Sequence, residues 1–355
     1  MKKSGVTLVD VAKLAGVSTM TASRALSGEG YASEEMRTKV HAAAKELGYV
    51  PNALARMMKG GKTNVIGVVV NDLSSAVINA FVTALSEEVR KIEMDMFIYN
   101  SLGDLGHGRG KRLSQMLHGL WDGLLFVLPR MTDDYLEQLE QSASPIVLVN
   151  YFSRETTLPV VRGDNVNGAH DAVSHLLDLG HRRIAFVRGM AYTGQSELRE
   201  RGYRLAHEAA ALEVDPALVV GGDFSEVAGL EAGRALMDLP EPPTAIFAGN
   251  DSMALGCINA IREKGLEVPK DVSVVGFDDI PASALVQPAL TTLRHPVEAM
   301  AHAAVQELVR RIQGQPGRRH RIEFPSEFIV RASTAAAPAP APRARPRARG
   351  RRAQA

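Results

Sequence analysis

The stretch TLVDVAKLAGVSTMTASRAL, residues 7–26, decides the fold of the amino-terminal region. Thr7 stands where a helix N-cap belongs, and the apolar residues after it recur with the i, i+3, i+4, i+7 spacing of a buried helix face. These apolar residues are Leu8, Val11, Ala12 and Ala15. Gly16-Val17 then predicts a tight turn, because glycine adopts backbone angles that other residues avoid.

A second helix is predicted to follow this turn, with Ser18 as its N-cap. Its buried side consists of Ala22, Ala25 and Leu26. Its outward side carries Thr19, Met20, Ser23 and Arg24. A third helix, from about Ser33, is expected to hold the first two at a fixed angle through Met36, Val40, Ala43 and Leu47. This is the pattern of a helix-turn-helix, whose second helix enters the major groove of DNA.

The distribution of charge agrees with a DNA-binding amino terminus. Residues 1–62 contain ten lysines and arginines against five acidic residues, a net charge of +5. The last thirteen residues add six arginines and no acid, although the whole chain carries only +1. Residues 63–342 therefore carry a net charge of −10. Basic ends on an acidic body indicate a polyanion-binding head attached to a body that does not bind DNA.

Length and composition exclude several classes of protein. With 355 residues, 45% of them hydrophobic, the chain can bury about two or three cores. Its longest apolar runs, such as residues 65–70 and 124–128, are far too short to span a bilayer, and Lys2-Lys3 precedes no apolar signal region. The single cysteine, Cys257, lies in an apolar stretch and cannot form an intramolecular disulfide. We therefore expect a cytoplasmic protein that contacts no membrane.

After Lys62 the sequence alternates between short apolar strands and amphipathic helices, which predicts parallel sheets covered on both faces. The predicted strands fall into two groups, residues 65–70, 96–99, 123–128 and 146–149, then 184–187, 218–220, 245–248 and 272–277. Their separation near residues 150–164 indicates two doubly wound lobes. A late helix, at about residues 297–311, and a final strand near 328–330 are expected to pack back onto these lobes. Residues 334–355, rich in Ala, Pro and Arg, are expected to be a disordered tail.

Polar residues stand at the carboxyl ends of several predicted strands, where open α/β sheets bind ligands. They are Asn71-Asp72, Asn150, Arg188, Asn250-Asp251 and Asp278-Asp279. Two lobes that face each other would place two such edges around one cleft. The architecture thus predicts a clamp for a small molecule.

The order of these parts resembles the lactose-repressor/galactose-repressor (LacI/GalR) family of bacterial transcription regulators, from about Thr7 to Ser333. The motifs that carry the resemblance are TLVDVAKLAGVSTMTASRAL, ELGYVPNALARMMKGGKT, LGHRRIAFV, AGNDSMALG, VSVVGFDD and LTTLRHP. The resemblance implies an all-α helix-turn-helix headpiece (residues 1–50), a hinge helix (51–62) and a periplasmic-binding-protein-like α/β core (63–333) of two doubly wound parallel-sheet lobes. It also implies a homodimer on pseudo-palindromic double-stranded operator DNA, in the cytoplasm and associated with the nucleoid.

The resemblance assigns DNA contacts residue by residue. Thr19, Met20 and Arg24 match base-reading positions, and an arginine can donate two hydrogen bonds to a guanine edge. The phosphate-contacting positions are matched by Thr7, Ser18, Thr21, Ser23, Ser33 and Asn52. Thr7, Ser18 and Ser33 could equally be helix caps only, and the two roles are compatible. In the hinge, Ala55 and Met58 match the minor-groove positions, with Met58 where the family usually has a leucine wedge, unless residues 51–59 form a plain linker helix.

In the clamp, the resemblance implies effector-binding positions at Asn71, Asp72, Asn150, Arg199, Phe224, Asn250 and Asp278. Arg199 and Asp278 could alternatively be purely structural, and Phe224 could belong to the core. Asp251, which follows a strand and opens a helix, is expected to be an N-cap and not a ligand contact. Many family members carry an Asn-Pro-aromatic-aromatic turn where this chain has Ser75-Ala76-Val77-Ile78. The missing aromatic shelf favours a sugar, polyol or sugar acid over a nucleobase, while inducer and corepressor modes both remain open.

Two other classes of function share the predicted fold. A solute-binding protein would have the same clamp, but the basic headpiece and the missing signal sequence disfavour it. An enzyme is disfavoured because residues 71–75 lack glycine, and the sequence contains no GxSxG or HExxH motif. We therefore expect no catalytic residues, no metal and no cofactor. A dimer is preferred over a tetramer because the tail has no leucine, and the arginines of that tail either add DNA affinity or are a solvated extension.

Overall fold

The computed structural model describes residues 6–27, 32–49, 62–102, 120–190, 193–315 and 320–338. The described helices are α1 (Leu8–Leu14), α2 (Thr19–Ser27), α3 (Glu34–Leu47), α4 (Ala76–Lys91), α5 (Asp133–Glu140), α6 (Asn165–Asp178), α7 (Gln195–Ala209), α8 (Glu226–Met237), α9 (Asp251–Glu263), α10 (Pro281–Leu285) and α11 (Val297–Ile312), with a 3-10 turn at Pro216–Leu218. The described strands are β1 (Val65–Val70), β2 (Asp95–Asn100), β3 (Gly123–Val127), β4 (Ile146–Val149), β5 (Val160–Gly163), β6 (Ile184–Val187), β7 (Val219–Val220), β8 (Ala245–Ala248), β9 (Ser273–Val275), β10 (Thr292–Arg294), β11 (Arg321–Phe324) and β12 (Glu327–Ile329).

The chain divides into two compact units. The described residues up to Val65, together with residues 120–122, form the first unit. The described residues from Ile66 onward, apart from 120–122, form the second unit. The first unit contains the headpiece and the second contains the α/β core.

In the headpiece, α1, α2 and α3 pack around a small apolar core, as the spacing of the apolar residues predicts. The fully buried members are Val11, Ala12, Ala22, Ala25, Val40, Ala43 and Ala44. Gly16, with φ of +65°, makes the turn between α1 and α2, which confirms the helix-turn-helix. The prediction that Met36 lines the inner face of α3 is wrong: its side chain is 42% exposed. The buried stripe of α3 begins one helical turn later, at Val40.

The first lobe of the core is built on a parallel sheet. Its described strands follow the order β11-β5-β4-β3-β1-β2. The pairs β1–β3, β3–β4, β4–β5 and β5–β11 are all parallel. Helices α4 and α11 bury their apolar faces against this sheet, with Phe81, Leu85, Met300 and Leu308 in the core. Because α11 and β11 follow the second lobe in sequence, the chain returns to complete the first.

The second lobe is built on a second parallel sheet, whose described strands follow the order β7-β6-β8-β9. One apolar cluster includes Ile246, Met253 and Ile258, and the other includes Phe186, Tyr203 and Phe247. The antiparallel pair β10–β12 belongs to this lobe, since Leu293 and Phe328 pack into the second cluster. The predicted pair of doubly wound lobes is therefore confirmed.

Three segments of the described chain cross between the lobes. The first joins β5 to α6 at residues 163–165, the second joins β10 to α11 at 294–297, and the third joins β11 to β12 at 324–327. The division was predicted near residues 150–164, and β5, β10 and β11 were not predicted. Charged residues interrupt β5 (VVRG) and β11 (RIEF), so neither shows the continuous apolar run by which β4, β6 and β8, of the same length, were predicted.

The prediction that the tail begins at residue 334 is wrong for residues 334–338, which the second lobe holds by hydrogen bonds. The Ala335 N–H donates to Ser273 Oγ (3.1 Å), and the Ala337 N–H donates to Leu179 O (2.9 Å). These bonds extend the lobe beyond Ser333. The rest of the predicted tail, from residue 339, lies outside the described residues.

Among the described residues, no helix combines the length and the apolar character that crossing a membrane requires. No cluster of His, Cys, Asp and Glu suited to a metal ion occurs in the same part of the chain. Cys257 is buried and donates Sγ–H to Gly229 O (3.3 Å), and burial raises the pKa of its thiol to about 12. The thiol is therefore unreactive at neutral pH.

Candidate functional site

A cavity of about 480 Å³ opens where the carboxyl ends of the strands in the two lobes face each other. Its volume suits a small molecule. All of the predicted effector-binding residues line it: Asn71, Asp72, Asn150, Arg199, Phe224, Asn250 and Asp278. The structure thus brings together side chains from positions that are up to about two hundred residues apart in sequence.

Arg199 on α7 is the most heavily engaged residue of the cavity wall, and its side chain is 3% exposed. Its Nε donates to Asn165 Oδ1 (2.8 Å), its Nη1 donates to the Gly249 carbonyl, and its Nη2 donates to Asp278 Oδ1 (3.2 Å). The guanidinium also stacks on the Phe277 ring, with Cζ 3.7 Å from the ring centroid. These contacts fix the guanidinium in one orientation before any ligand arrives.

Asp278 follows β9 and adopts φ of +109°, in the left-handed region that non-glycine residues rarely occupy. Burial raises the pKa of its carboxyl to about 6, although the charge and the hydrogen bond of Arg199 act to lower that pKa. The carboxylate is therefore mostly ionised at neutral pH and forms a true ion pair with Arg199. Backbone strain of this kind persists only where the surroundings enforce it, and it is common at ligand sites.

Asp251 helps to enforce this turn. Its fully buried carboxylate accepts hydrogen bonds from the Ile280 N–H (2.8 Å), Ser283 Oγ (2.7 Å) and Thr292 Oγ1 (2.5 Å). The expectation that Asp251 caps α9 is wrong, because the side chain of the preceding residue, Asn250, accepts the capping bond from the Met253 N–H (3.0 Å). The carboxylate of Asp251 instead points toward the loop after β9.

Asn250 and Phe224 form a second part of the wall. The Asn250 Nδ2 donates to the Phe224 carbonyl (3.0 Å), while its Oδ1 accepts the hydrogen bond from the Met253 N–H that caps α9. Phe224, with φ of +73°, lays its ring on Gly189, where an added Cβ would lie 1.9 Å from ring atom Cζ. Its ring is half-buried, packs against the second-lobe core and also lines the cavity. Both predicted roles of Phe224, packing and facing a ligand, are compatible with this position.

The first lobe contributes a wall with its own pair of opposite charges. Asp72 accepts hydrogen bonds from the Ser74 N–H (2.8 Å) and Oγ (2.7 Å), which lower the pKa of its carboxyl, and Arg130 lowers it further. Arg130 also reaches across the cleft, where its Nη1 donates to Met190 Sδ in the second lobe (3.1 Å). The side-chain oxygen Oδ1 of Asn71 is buried in the same wall without a hydrogen-bond partner.

Asn150 has a structural role as well as a place on the wall. It is 3% exposed, adopts φ of +54°, and its Oδ1 accepts the Gly163 N–H (3.0 Å) at the first crossover. The remaining part of the first-lobe wall is aliphatic, formed by Ala76, Val77 and Ile78 at the start of α4. This is the segment where the sequence lacks the aromatic residues that many members of the resembled family carry.

Several polar lining residues were not predicted from the sequence, among them Arg130, Gln195 and His295. Arg130 could have been found, because it follows the end of β3 and so meets the same criterion as Asn71 and Asp72. His295 lies in the LTTLRHP motif, but nothing in the sequence shows that its strand, β10, ends at the cavity. Gln195 opens α7 after Gly194, whose φ is +71°.

The headpiece presents a polar surface on α2. Thr19, Met20 and Arg24 are exposed, Met20 to 66%, while Ala22 and Ala25 are buried behind them. Ser18 Oγ accepts the Thr21 N–H (3.1 Å), and Ser33 Oγ accepts the Met36 N–H (3.3 Å), so both serines cap helices. Thr7 precedes α1, and its N–H and hydroxyl both donate to Asp10 Oδ2 (2.9 and 2.7 Å). Ser23 is half-buried on α2, and the predicted contacts Asn52, Ala55 and Met58 lie outside the described residues.

Comparison with known proteins supports this combination of parts. The sequence profile described as "Bacterial regulatory proteins, lacI family" matches residues 7–52, and the profile "Periplasmic binding protein-like domain" matches residues 173–334. The HTH-type transcriptional repressor CytR of Escherichia coli (strain K12) is 34% identical over 94% of this chain and 98% of its own length. Catabolite control protein A of Priestia megaterium is 34% identical over 93% of this chain and 99% of its own.

Solved structures show the same architecture. The Lac repressor dimer bound to operator and the anti-inducer ONPF is 28% identical, with a TM-score of 0.83 over 94% of this chain and 100% of that one. The complex of the transcriptional regulator CelR with cellobiose is 31% identical, with a TM-score of 0.70 over 92% of this chain and 99% of that one.

A helix-turn-helix headpiece attached to a two-lobed ligand clamp defines a ligand-responsive, DNA-binding transcriptional regulator. The chain belongs to the lacI family of these regulators. The relatives named above are DNA-binding regulators and not enzymes.

Proposed function

We propose that this regulator acts as a homodimeric repressor on a pseudo-palindromic operator, and that a neutral, polyhydroxylated effector bound in the cavity controls its operator affinity. The observation that carries the proposal is that each of the two walls bears one carboxylate and one arginine. One wall has Asp72 and Arg130 in the first lobe, and the other has Asp278 and Arg199 in the second. A ligand that hydrogen-bonds to both walls favours one arrangement of the lobes over others.

The balance of charge in the cavity indicates the chemistry of this effector. Each arginine is accompanied by a carboxylate, and Asp223 and Glu226 add negative charge to the lining. A sugar acid or sugar phosphate would therefore meet more negative than positive charge. Vicinal hydroxyls suit such a wall, because they donate to carboxylates and accept from guanidinium groups at the same time. The Phe224 ring supplies an apolar surface of the kind on which the C–H face of a sugar stacks.

Named relatives support the same class of ligand. One solved relative is a complex with cellobiose, and another relative, the ribose operon repressor of Escherichia coli (strain K12), is 32% identical over 92% of this chain and 99% of its own length. Both names refer to neutral sugars. The aliphatic wall at Ala76, Val77 and Ile78 also favours a sugar or polyol over a stacked nucleobase.

On the DNA side, we propose that Thr19, Met20 and Arg24 read bases in the major groove. Thr7, Ser18, Thr21, Ser23, Ser33 and Asn52 would contact phosphates, with Ala55 and Met58 in the minor groove. The exposure of Thr19, Met20 and Arg24 on the outer side of α2 supports this assignment. A protein with this task acts in the cytoplasm at the nucleoid, and by binding, not by catalysis.

The proposed mechanism is a shift between lobe arrangements. A ligand with about 100-fold higher affinity for one arrangement shifts the equilibrium by about 2.7 kcal/mol. Specific operator binding exceeds non-specific binding by about 4–10 kcal/mol, so such a shift empties an operator that is only marginally occupied.

A thermal-shift screen tests the effector class. The purified protein is heated with neutral sugars, polyols, sugar acids, sugar phosphates and nucleosides, since a ligand that binds only the folded state raises the melting temperature. We expect hits among the neutral sugars and polyols, and a hit should change affinity for an operator selected from a random DNA pool. Hits only among anionic compounds would overturn the neutral class. Chemical conversion of a hit by the protein would overturn the assignment as a non-enzyme.

A further inference from the structure

His295 lies where the three crossovers between the lobes meet. It is itself part of the second crossover and is 3% exposed. Its ring packs against Gly163 of the first crossover, where an added Cβ would lie 2.3 Å from Nδ1. Its Nδ1 is 3.4 Å from Ser326 Oγ of the third crossover. Ser326 Oγ in turn donates to the Asp164 carbonyl (3.3 Å), which links the third crossover to the first.

The other edge of the same ring faces the ion pair of the cavity wall. His295 Nε2 is 3.4 Å from Arg199 Nη2 and 3.8 Å from Asp278 Oδ1. The ring also packs against the tilted ring of Phe277, the residue before Asp278, with 5.1 Å between ring centroids. One imidazole therefore lies between the proposed effector contacts and the backbone segments that join the two lobes.

The hydrogen-bond partners determine which nitrogen carries the proton. Burial, with the Arg199 charge beside it, lowers the pKa of His295 to about 3, so the ring is neutral at physiological pH. Arg199 Nη2 can only donate, so Nε2 must accept, and the proton is on Nδ1. The Nδ1–H then donates to Ser326 Oγ, whose own hydroxyl donates to the Asp164 carbonyl. The result is a directional chain from Arg199 through His295 and Ser326 to the crossover backbone.

We propose that His295 is the positioning residue that couples the Arg199–Asp278 ion pair to the interlobe crossovers. A ligand that hydrogen-bonds to this ion pair changes how strongly Arg199 donates to His295, and the chain passes that change to Ser326 and Asp164. This inference rests on the proposed function in one respect only, namely that the effector is the molecule that perturbs the Arg199–Asp278 ion pair in the cell. A separate branch runs from Arg199 through Asn165 to the Gly163 carbonyl, and Ser326 belongs to the His295 branch alone.

The first test observes the tautomer without any ligand. In protein labelled with ¹⁵N at histidine, the ring nitrogen resonance that disappears in a His295→Gln variant belongs to His295. We expect this ring to be the neutral Nδ1–H tautomer at pH 7 and to change its ring shifts in Asp278→Asn. A neutral Nε2–H tautomer would overturn the proposal, because Nε2 could not then accept from Arg199.

The second test is a double-mutant cycle between Asp278 and Ser326, two described residues that form no hydrogen bond or ion pair with each other. Hydrogen exchange is measured at the crossover amides of Gly163 and Asp164 in Asp278→Asn, Ser326→Ala and the double variant. If His295 couples them, the loss of protection in the double variant differs from the product of the single losses. The same cycle in a His295→Leu background should be multiplicative.

The same cycle in two further variant backgrounds, His295→Gln and His181→Leu, tests whether His295 has a purely structural role. His295→Gln keeps an acceptor and a donor on one planar group, so non-additivity should survive in it. His181 is a matched control, since it is also fully buried and hydrogen-bonded, to Thr244 and Ser273, away from the cavity lining. Non-additivity should survive in His181→Leu. A multiplicative cycle in the wild-type background, or an unchanged cycle in His295→Leu, would overturn the proposal. Both tests are made without ligand, so a failed ligand screen would not affect their results. Failure of the proposed function can therefore be distinguished from failure of this inference.

Discussion

Arg199 and Asp278 form a buried ion pair, with 3.2 Å between Nη2 and Oδ1 and with both side chains less than a tenth exposed. They come from different elements, α7 and the turn after β9, and Asp278 adopts φ of +109° in that turn. Burial raises the pKa of the Asp278 carboxyl to about 6 and lowers that of the Arg199 guanidinium. The pair is thus held in place by the fold and presents two preorganised polar groups to a ligand.

Removal of one partner should strongly destabilise the second unit. Arg199→Ala leaves the Asp278 carboxylate buried and uncompensated, which costs about 3–5 kcal/mol in buried pairs. The matched control is Arg204→Ala on the same helix. Arg204 forms an ion pair with Glu200, but its side chain is half-exposed, so this pair should contribute about 0–1 kcal/mol to the free energy of unfolding. Urea unfolding of both variants measures the difference. Equal losses of free energy of unfolding in the two variants would contradict the buried-pair interpretation.

Binding of the effector in the cavity should depend on the absence of a side chain at Gly189. An added Cβ at this position would lie 1.9 Å from Phe224 Cζ, so Gly189→Ala forces the ring of Phe224 away from its place on the wall. We expect loss of ligand-induced thermal stabilisation while operator binding without ligand is retained. Gly221→Ala is the control, because an added Cβ there has nothing within 4 Å. Ligand binding that survives in Gly189→Ala would show that the Phe224 position does not matter for the effector.

The elements that the sequence predicts well are those with an apolar stripe at helical spacing or a continuous apolar run. The apolar stripes of α1, α2 and α3 gave the headpiece, and the continuous apolar runs gave β1, β3, β4, β6 and β8. Polar residues at the ends of such strands, Asn71, Asp72, Asn250 and Asp278, can be placed at one cleft from the sequence alone. The rule that ligands bind at the carboxyl ends of parallel strands made this possible.

The elements that the sequence did not predict depend on tertiary contacts. Strand β11 pairs with β5 in parallel, and neither four-residue segment has the continuous apolar run of the predicted strands. Asp251 looks like an N-cap in sequence, but the hydroxyls of Ser283 and Thr292, which lie 32 and 41 residues away, draw its carboxylate into the core. His295 likewise acquires its position from the crossovers, which no local pattern shows.

The stability of the protein should respond to pH through Asp251. Burial and the nearby Asp278 charge raise the pKa of its carboxyl to about 7, whereas an unfolded aspartate has a pKa of about 3.9. Between these values the folded state holds a proton that the unfolded state has released. The stabilisation is therefore complete below about pH 4 and is lost as the pH rises through 7.

Buried histidines act with the opposite sign, so the contribution of Asp251 must be isolated as a difference. The pKa values of His181, His207 and His295 are lowered, mainly by burial, and their contributions to stability grow as the pH rises toward about 6.5. We expect the free energy of unfolding of the wild type, minus that of Asp251→Asn, to fall from pH 5 to pH 8. Urea titrations at each pH measure it, and a difference that does not change with pH would contradict the raised pKa.

On the DNA side, Arg24→Ala should reduce operator affinity by about 1–3 kcal/mol if Arg24 makes the proposed bidentate contact to a base. Affinity for a scrambled sequence should fall much less. Arg37→Ala is the control, since it removes the same charge from an exposed position on α3 instead of α2. Fluorescence anisotropy on both DNA fragments measures the effect. Equal losses on operator and scrambled DNA would mean that Arg24 contacts the backbone and not a base.

The carboxyl-terminal extension should have two separable contributions, divided at residue 338. Thr334 contacts His175 Nε2 (3.0 Å), and the Ala335 carbonyl accepts from His181 Nε2 (3.0 Å), so residues 334–338 complete the second lobe. Deletion of residues 334–355 should therefore lower the melting temperature, whereas deletion of 339–355 should leave it nearly unchanged.

Both deletions remove the six arginines after residue 342, so both should reduce the salt dependence of DNA binding and leave operator preference intact. Each phosphate contact that is lost lowers the slope of log K against log salt by about 0.9. Titration of operator and scrambled DNA at several salt concentrations measures this slope. An unchanged slope in both truncated proteins would show that the arginines do not contact DNA. Equal melting temperatures in the two would show that residues 334–338 add nothing to the stability of the lobe, despite their hydrogen bonds to it.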